Sequence, residues 1–106
     1  MEDQVKTKNK RKSIKKDEIR KSKATGHPAY IFAQEGNDFK FLGITHSPMT
    51  EGNANIELSV NPNRSDKRKA YVIKKSKRDR TNKFGAKSKT MKIAKKDKSK
   101  IRDFLK

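Results

Sequence analysis

The chain has 106 residues, of which 29% are hydrophobic and 40% are charged, and its 30 lysines and arginines outnumber 12 carboxylates to give a net charge of +18. This length allows one domain, and an apolar share far below the roughly 45–50% of ordinary soluble domains predicts a small core. The absence of cysteine excludes disulfides, thiolate metal sites and a cysteine nucleophile, and the lack of a roughly 18-residue apolar run or a signal-peptide pattern predicts a cytoplasmic protein without a membrane partner.

The charge is distributed unevenly along the chain. Residues 1–25 carry a net charge of +6, residues 26–63 carry −3, and residues 64–106 carry +15. The middle block also holds four of the seven aromatic residues. This pattern predicts a basic disordered arm over 1–25, followed by a single small domain over 26–106 whose C-terminal part is basic.

A β-hairpin is the first element predicted in chain order. Pro28 and the apolar run after it favour a strand, residues 35–38 (EGND) favour a turn, and residues 39–46 favour the returning strand. A two-residue loop at Gly36-Asn37 and a four-residue loop over 35–38 both pair residues whose numbers sum to 73. That register places Phe32 opposite Phe41.

The same register gathers four rings on one face of the hairpin and places Tyr30 opposite Gly43. The four rings belong to Tyr30, Phe32, Phe39 and Phe41. Such a face predicts either a base-stacking platform or a hydrophobic core. Large rings are scarce in this chain, and a small domain cannot easily leave four of them in water, which favours the core.

Further strands and a helix follow. Residues 56–60 alternate between apolar and polar, and residues 69–74 favour another strand, whereas 75–83 are charged and favour a loop. Ile101, Phe104 and Leu105 lie at helical spacing and predict a C-terminal helix over 95–105. The predicted fold is therefore α+β, with a small antiparallel sheet, open or curled toward a barrel, and a helix on or beside it.

The two histidines become cross-strand neighbours in the predicted register. His27 and His46 then suit either acid–base chemistry or a structural role in which both hydrogen bond to nearby backbone, and the structural role is favoured. A metal site requires further ligands, and the nearest hairpin carboxylates lie at its other end. The sequence therefore predicts no metal and no cofactor.

A second function class remains open at this point. A small metal-independent, toxin-like ribonuclease could use His27 or His46 as the base, Arg68 on the phosphate and Tyr71 or a lysine as the donor. No motif specifies such an enzyme, and strand alternation places Arg68 and Tyr71 on opposite faces. Catalysis is accordingly the less favoured interpretation.

The basic segments indicate the partner most directly. Clustered cations favour sequence-tolerant binding of nucleic acid, either DNA or RNA, by an accessory protein without catalysis. An acidic protein is the other partner that the same charges would fit. The predicted phosphate contacts are Lys10, Arg11, Lys12, Lys67, Arg68, Lys74, Lys75, Lys77, Arg78, Arg80, Lys83, Lys87, Lys89, Lys92, Lys95 and Lys96.

Several short motifs resemble a known group of proteins. They are Gly26-His27-Pro28-x-Tyr30-Ile31, Phe41-x-Gly43-Ile44-Thr45-His46, Asn61-Pro62-Asn63, Asp66-x-Arg68-x-Ala70-Tyr71-Val72 and Phe84-Gly85. With the lysine-rich C-terminal helix, they resemble small basic proteins carried by conjugative transposons and other mobile elements of Gram-positive bacteria. The resemblance covers roughly residues 26–105 and implies a genomic setting, but no activity.

Overall fold

The structure is a computed structural model that describes residues 14–105. Its elements, in chain order, are β1 (Glu18–Lys21), β2 (Pro28–Glu35), β3 (Asp38–Thr45), β4 (Met49–Thr50), β5 (Asn53–Ala54), β6 (Ile56–Glu57), β7 (Tyr71–Val72), β8 (Lys77–Arg80), a 3₁₀ helix (Thr81–Lys83) and α1 (Lys95–Leu105). The predicted α+β class, antiparallel sheet and C-terminal helix are confirmed. Over residues 14–105 the sheet stays open and does not close into a barrel.

Strand β3 is the centre of the sheet. One edge of β3 pairs with β2, whereas the other edge pairs with β8 at its beginning and with β7 at its end. Strand β1 extends the sheet beyond β2, and β6 extends it beyond β7. All of these pairings are antiparallel, and the short strands β4 and β5 form a separate hairpin.

The hairpin register is confirmed near the turn and changes farther from it. Glu35 opposes Asp38 as predicted, but a β-bulge between Ile31 and Ala33 shifts every later pair by one residue. Tyr30 therefore opposes Leu42, and the predicted pairings of Phe32 with Phe41 and of Tyr30 with Gly43 are wrong. A bulge places two residues of one strand against one of its partner, which is the physical reason for the shift.

The bulge also divides the four rings between two hydrophobic clusters. Tyr30 and Phe32 lie in the larger cluster, whereas Phe39 and the half-buried Phe41 pack with Phe84 in the smaller one. The prediction of one shared aromatic face is wrong. The core interpretation is confirmed for Tyr30, Phe32 and Phe39, which are all buried.

Helix α1 covers the larger cluster. Ile101 is fully buried there, and Phe104 and Leu105 pack against the cluster as the i, i+3, i+4 spacing predicted. The buried members of this cluster are Ile19, Tyr30, Phe32, Ala33, Leu42, Ile44, Ile56, Leu58, Ala70, Val72, Ile93 and Ile101.

Polar contacts also fix the helix on the sheet. The hydroxyl of Tyr30 donates to Oδ1 of Asp17 over 3.0 Å, and Nζ of Lys98 on α1 contacts the other carboxylate oxygen. Burial, followed by the nearby charge of Asp17, raises the pKa of Tyr30 well above its ordinary value. The phenol therefore remains a hydrogen-bond donor at neutral pH.

Two segments that the sequence placed outside the sheet belong to it. Residues 18–21 were predicted to be part of the disordered arm, but they form β1, because Ile19 inserts into the core opposite Tyr30. Residues 77–80 were predicted to be a loop, but they form β8 against the beginning of β3. The part of the predicted arm over 1–13 lies outside the described residues.

Candidate nucleic-acid interface

A backbone segment lies along the outer edge of β1 and leaves little of that edge free. The amide of Lys23 donates to the carbonyl of Lys83 over 2.8 Å, and the amide of Gly85 donates to the carbonyl of Lys21 over 2.9 Å. Farther along, the amide of Ser88 donates to the carbonyl of Ile19 over 2.8 Å. Residues 83–88 thus add a last, irregular strand to the sheet, antiparallel to β1.

Phe84 anchors this segment. Its side chain is buried and meets the rings of Phe39 and Phe41 edge-to-face, with centroid distances of 5.4 and 5.1 Å. Such ring pairs contribute roughly 0.5–1.5 kcal/mol beyond the burial of their area. Arg20 adds a second link from β1, because its guanidinium donates to the carbonyl of Gly85 over 3.0 Å.

The pairing of these two segments concentrates positive charge. Residues 83–96 contain six lysines and no carboxylate. We define the lysine edge as the exposed lysines of β1, of the turn that follows it and of residues 83–89, namely Lys21, Lys23, Lys83, Lys87 and Lys89. None of these five forms an ion pair with a carboxylate of residues 14–105.

Two lysines of this edge oppose each other directly. Ser22 forms a bridge with Phe84, so Lys23 stands opposite Lys83, and together with Ala24 and Asn82 they line a small open cavity of about 300 Å³. Like charges placed opposite each other across strands destabilise a sheet. The cost falls when an anion lies between the two ammonium groups, so this cavity suits a phosphate.

Not all of the predicted phosphate contacts are equally available. Arg78 and Arg80 on β8 pair with carboxylates of the hairpin turn, Lys75 pairs with Glu51, and Arg68 pairs with Asp66. The predicted contacts without an ion pair to a described carboxylate are Lys67, Lys74, Lys77, Lys83, Lys87, Lys89, Lys92, Lys95 and Lys96. The remaining predicted contacts, Lys10, Arg11 and Lys12, lie outside the described residues.

The sequence prediction missed Lys21 and Lys23. Both lie in the segment that was assigned to the disordered arm, and their place beside Lys83 follows from a pairing between residues about sixty positions apart. The one local signal in the sequence is Ser22 between two lysines, and this pattern alone is too weak to predict a strand edge. In the structure, Ser22 is buried and both lysines are exposed.

A larger cavity of about 640 Å³ opens next to the lysine edge. It lies between β1, the beginning of β2, the end of β3, the loop over 61–68 and the segment over 86–91. Buried or half-buried apolar side chains form its floor, and exposed polar side chains form its rim. The floor contains Ile19, Pro28, Ile44 and Met91, and the rim contains Lys21, His27, His46 and Arg68.

Three of the four residues proposed for the ribonuclease line this cavity. His27 and His46 are not cross-strand neighbours, because the bulge shifts the register and the β2–β3 pairing ends at Ala29 and Gly43. The prediction that they face each other across the hairpin is therefore wrong, although both lie on the rim with Arg68. Tyr71, on β7, is not among the described residues that line the cavity.

The rim contains a connected set of polar contacts. Nε2 of His46 lies 3.3 Å from Oδ2 of Asp66, and its Nδ1 lies 3.0 Å from the carbonyl oxygen of Lys69. The guanidinium of Arg68 donates to both carboxylate oxygens of Asp66, over 2.9 and 3.1 Å. These bonds, above all those from the Arg68 side chain, lower the pKa of Asp66 to about 2.

This arrangement suits the binding of an anion better than proton abstraction. Both ring nitrogens of His46 face oxygen atoms of the protein, those of Asp66 and of the Lys69 carbonyl, so both are already engaged within the protein. The only carboxylate that lines the cavity within residues 14–105, that of Asp66, is already engaged by Arg68 and His46.

Neither a metal centre nor a membrane span is found in the part of the chain that the structure describes. Residues 14–105 contain no group of three or more histidine, aspartate or glutamate side chains placed to hold a metal ion. No helix among them combines the length and apolar character required to cross a bilayer.

Comparison of the chain with protein-family models, curated proteins and solved structures finds no match.

Proposed function

We propose that this protein is a non-catalytic, largely sequence-tolerant nucleic-acid-binding accessory protein of a mobile genetic element, acting in the cytoplasm. The observation that carries the proposal is the lysine edge, where two segments distant in the sequence join exposed cations with no carboxylate between them. Phosphates are the anions that such a linear array of ammonium groups would follow.

The way the other charges pair also supports the proposal. Carboxylates of the hairpin turn hold cations on the β8 side of β3, and Asp66 holds Arg68 at the cavity rim. Cations that served only for solubility would be mixed with carboxylates all over the surface. Here the carboxylates are paired elsewhere and the lysine edge is left without them.

Fluorescence anisotropy with short labelled DNA and RNA at several salt concentrations tests this function. If the five lysines each contact a phosphate, the logarithm of the affinity falls with the logarithm of the salt concentration at a slope of about −3 to −5. No binding in dilute salt, or a flat response to salt, would refute the proposal.

A matched pair of variants separates the lysine edge from net charge. Lys23→Gln combined with Lys83→Gln removes two charges from the edge, whereas Lys40→Gln combined with Lys75→Gln removes two charges that are paired with Glu35 and Glu51. The first variant should reduce the salt slope by about 1.5 to 2, and the second should change it little. Equal effects would mean that net charge alone drives binding.

The ribonuclease stays a second candidate because His27, His46 and Arg68 line one cavity. Incubation with RNA in the presence of EDTA distinguishes it from a binder. Cleavage that is lost in His46→Ala would favour the enzyme, and intact RNA in a stable complex would favour binding. A partner that survives nuclease treatment in a pull-down would instead indicate an adaptor for an acidic protein.

A further inference from the structure

We propose that the larger cavity accepts one unpaired nucleotide of a single strand whose backbone follows the lysine edge. This inference depends on the proposed function and adds to it the form of nucleic acid that is bound. It therefore assigns single-stranded DNA or RNA, not duplex, as the preferred ligand.

The cavity and the lysine edge are continuous. Lys21 belongs to the lysine edge and also lines the cavity. Ala86 and Ser88, from the backbone segment that carries three of the other lysines, line the cavity as well. A strand held along this edge therefore passes directly beside the opening. A neighbouring nucleotide can enter without the protein having to rearrange.

The lining suits the two halves of a nucleotide. The apolar floor over Ile19, Ile44 and Met91 offers a surface for the face of a base, and the volume of about 640 Å³ lies within the roughly 300–1,000 Å³ of small-molecule sites. Lys21 on the rim, which forms no ion pair with a carboxylate of residues 14–105, offers a partner for the phosphate. The rim and the floor together match a group that is flat and apolar on one side and anionic on the other.

The polar groups beside the cavity explain why sequence preference should be weak. The amide group of Asn61 already donates to the carbonyl of Arg68 over 2.9 Å and accepts from the amide of Asn63 over 2.9 Å. The side chain of Asn63 accepts from the amide and the hydroxyl of Ser65. Because these groups are engaged within the loop, few remain to read the edge of a base.

A duplex can place a base in the cavity only at a higher free-energy cost than a single strand. Its bases are stacked and paired, and extruding one costs a few kcal/mol before any contact is gained. We therefore expect a duplex to bind through the lysine edge alone.

Three probes of equal length test the inference on the full chain. They are a labelled single strand, the same backbone without bases, and a duplex, measured by anisotropy at one low salt concentration, with the single strand and its duplex prepared as both DNA and RNA. We expect the base-containing single strand, in either sugar form, to bind about tenfold more tightly than the abasic strand. Equal affinity for the base-containing and abasic strands would overturn the inference.

A pair of variants tests whether the tighter binding of the base-containing single strand depends on the cavity. Ala86 is exposed and lines the cavity, so Ala86→Leu narrows the opening without removing a contact, whereas Thr90 is exposed on the same segment and does not line it. Ala86→Leu should weaken single-strand binding by about fivefold to tenfold and leave duplex binding unchanged. Thr90→Leu should change neither.

The outcomes distinguish the inference from the function on which it depends. If no probe binds at low salt, both the proposed function and the inference fail. If all three probes bind equally and Ala86→Leu weakens none of them, nucleic-acid binding stands and the cavity has no part in it.

Discussion

Replacement of Asp97 should destabilise the fold more than any other single change to a carboxylate of the described chain. Asp97 lies in the first turn of α1, where it faces the positive end of the helix, but its side chain is fully buried. Its two oxygens accept from the amide of Ser59 over 2.9 and 3.0 Å and from the amide of Val60 over 3.3 Å. Lys100, one turn farther along the helix, lies 3.5 Å from Oδ1.

The magnitude follows from what each substitution leaves unpaired. Asp97→Ala removes the acceptor for two backbone amides and leaves Lys100 without its carboxylate, and an unsatisfied buried donor costs about 1–3 kcal/mol. Because Ser59 is exposed at the surface, water recovers part of this loss, and we expect the free energy of unfolding to fall by about 2–4 kcal/mol. Asp97→Asn keeps one oxygen but turns an NH₂ group toward an amide, and should cost about 1–2 kcal/mol.

Urea unfolding followed by circular dichroism measures these changes. Asp103 lies on the same helix and is exposed, so Asp103→Ala is the matched control and should change the free energy of unfolding by less than about 1 kcal/mol. The reasoning is refuted if Asp97→Ala and Asp103→Ala unfold at the same urea concentration. In that case, the hydrogen bonds from the amides of Ser59 and Val60 to the buried carboxylate would add nothing measurable to the free energy of unfolding.

The effect should also depend on pH. Burial alone raises the pKa of Asp97, but the bonds from Ser59 and Val60 outweigh it, so the pKa is lowered in the folded state. A carboxyl with a lowered folded pKa stabilises the fold above its unfolded pKa, and this contribution is lost on acidification. The difference in stability between wild type and Asp97→Asn should therefore shrink as the pH falls below about 4.

Two further changes test the anchor of the lysine edge and the cavity rim. Phe84→Ala should lower the free energy of unfolding by about 3–5 kcal/mol. It should also speed hydrogen exchange at the amides of Gly85 and Ser88, and slow exchange there would show that other contacts hold residues 83–88 against β1. Arg68→Gln should raise the pKa of Asp66 from about 2 toward its ordinary 3.8, as read from its carboxyl ¹³C shift. Because the folded pKa of Asp66 is lowered, its pair with Arg68 stabilises the wild-type fold above pH 4, and this stabilisation is lost between about pH 4 and 2. An unchanged pKa of Asp66 in the variant would exclude Arg68 as the cause of the shift.

The elements predicted correctly from the sequence are those whose signals are local. Helix α1 follows from three apolar residues at i, i+3 and i+4, and the register near the hairpin turn follows from the turn itself. The bulge could not be predicted, because Ile31, Phe32 and Ala33 are apolar and buried in succession. Such a run shows no alternation, so the sequence does not mark where the register shifts.

Strands β1 and β8 were missed for a different reason. The first holds one buried apolar residue, Ile19, and the second reads Lys77–Arg80 without any, so neither has the pattern of a strand. Their positions depend on partners elsewhere in the chain, Tyr30 for β1 and the beginning of β3 for β8. The lysine edge shares this origin, since it forms only when residues 83–88 lie along β1.

The same tertiary pairing determines how the charges of the molecule are divided. Strand β8 brings Arg78 to the carboxylates of Glu35 and Asp38, which neutralises one side of β3, whereas β1 receives a neighbour that contains lysines and no carboxylate. Repulsion along the lysine edge opposes folding, and the buried ring of Phe84 offsets it. The proposed binding would use this difference: the lysine edge keeps its repulsion while Arg78 is paired with carboxylates, and exchange of its counterions for the phosphates of a nucleic acid would favour binding.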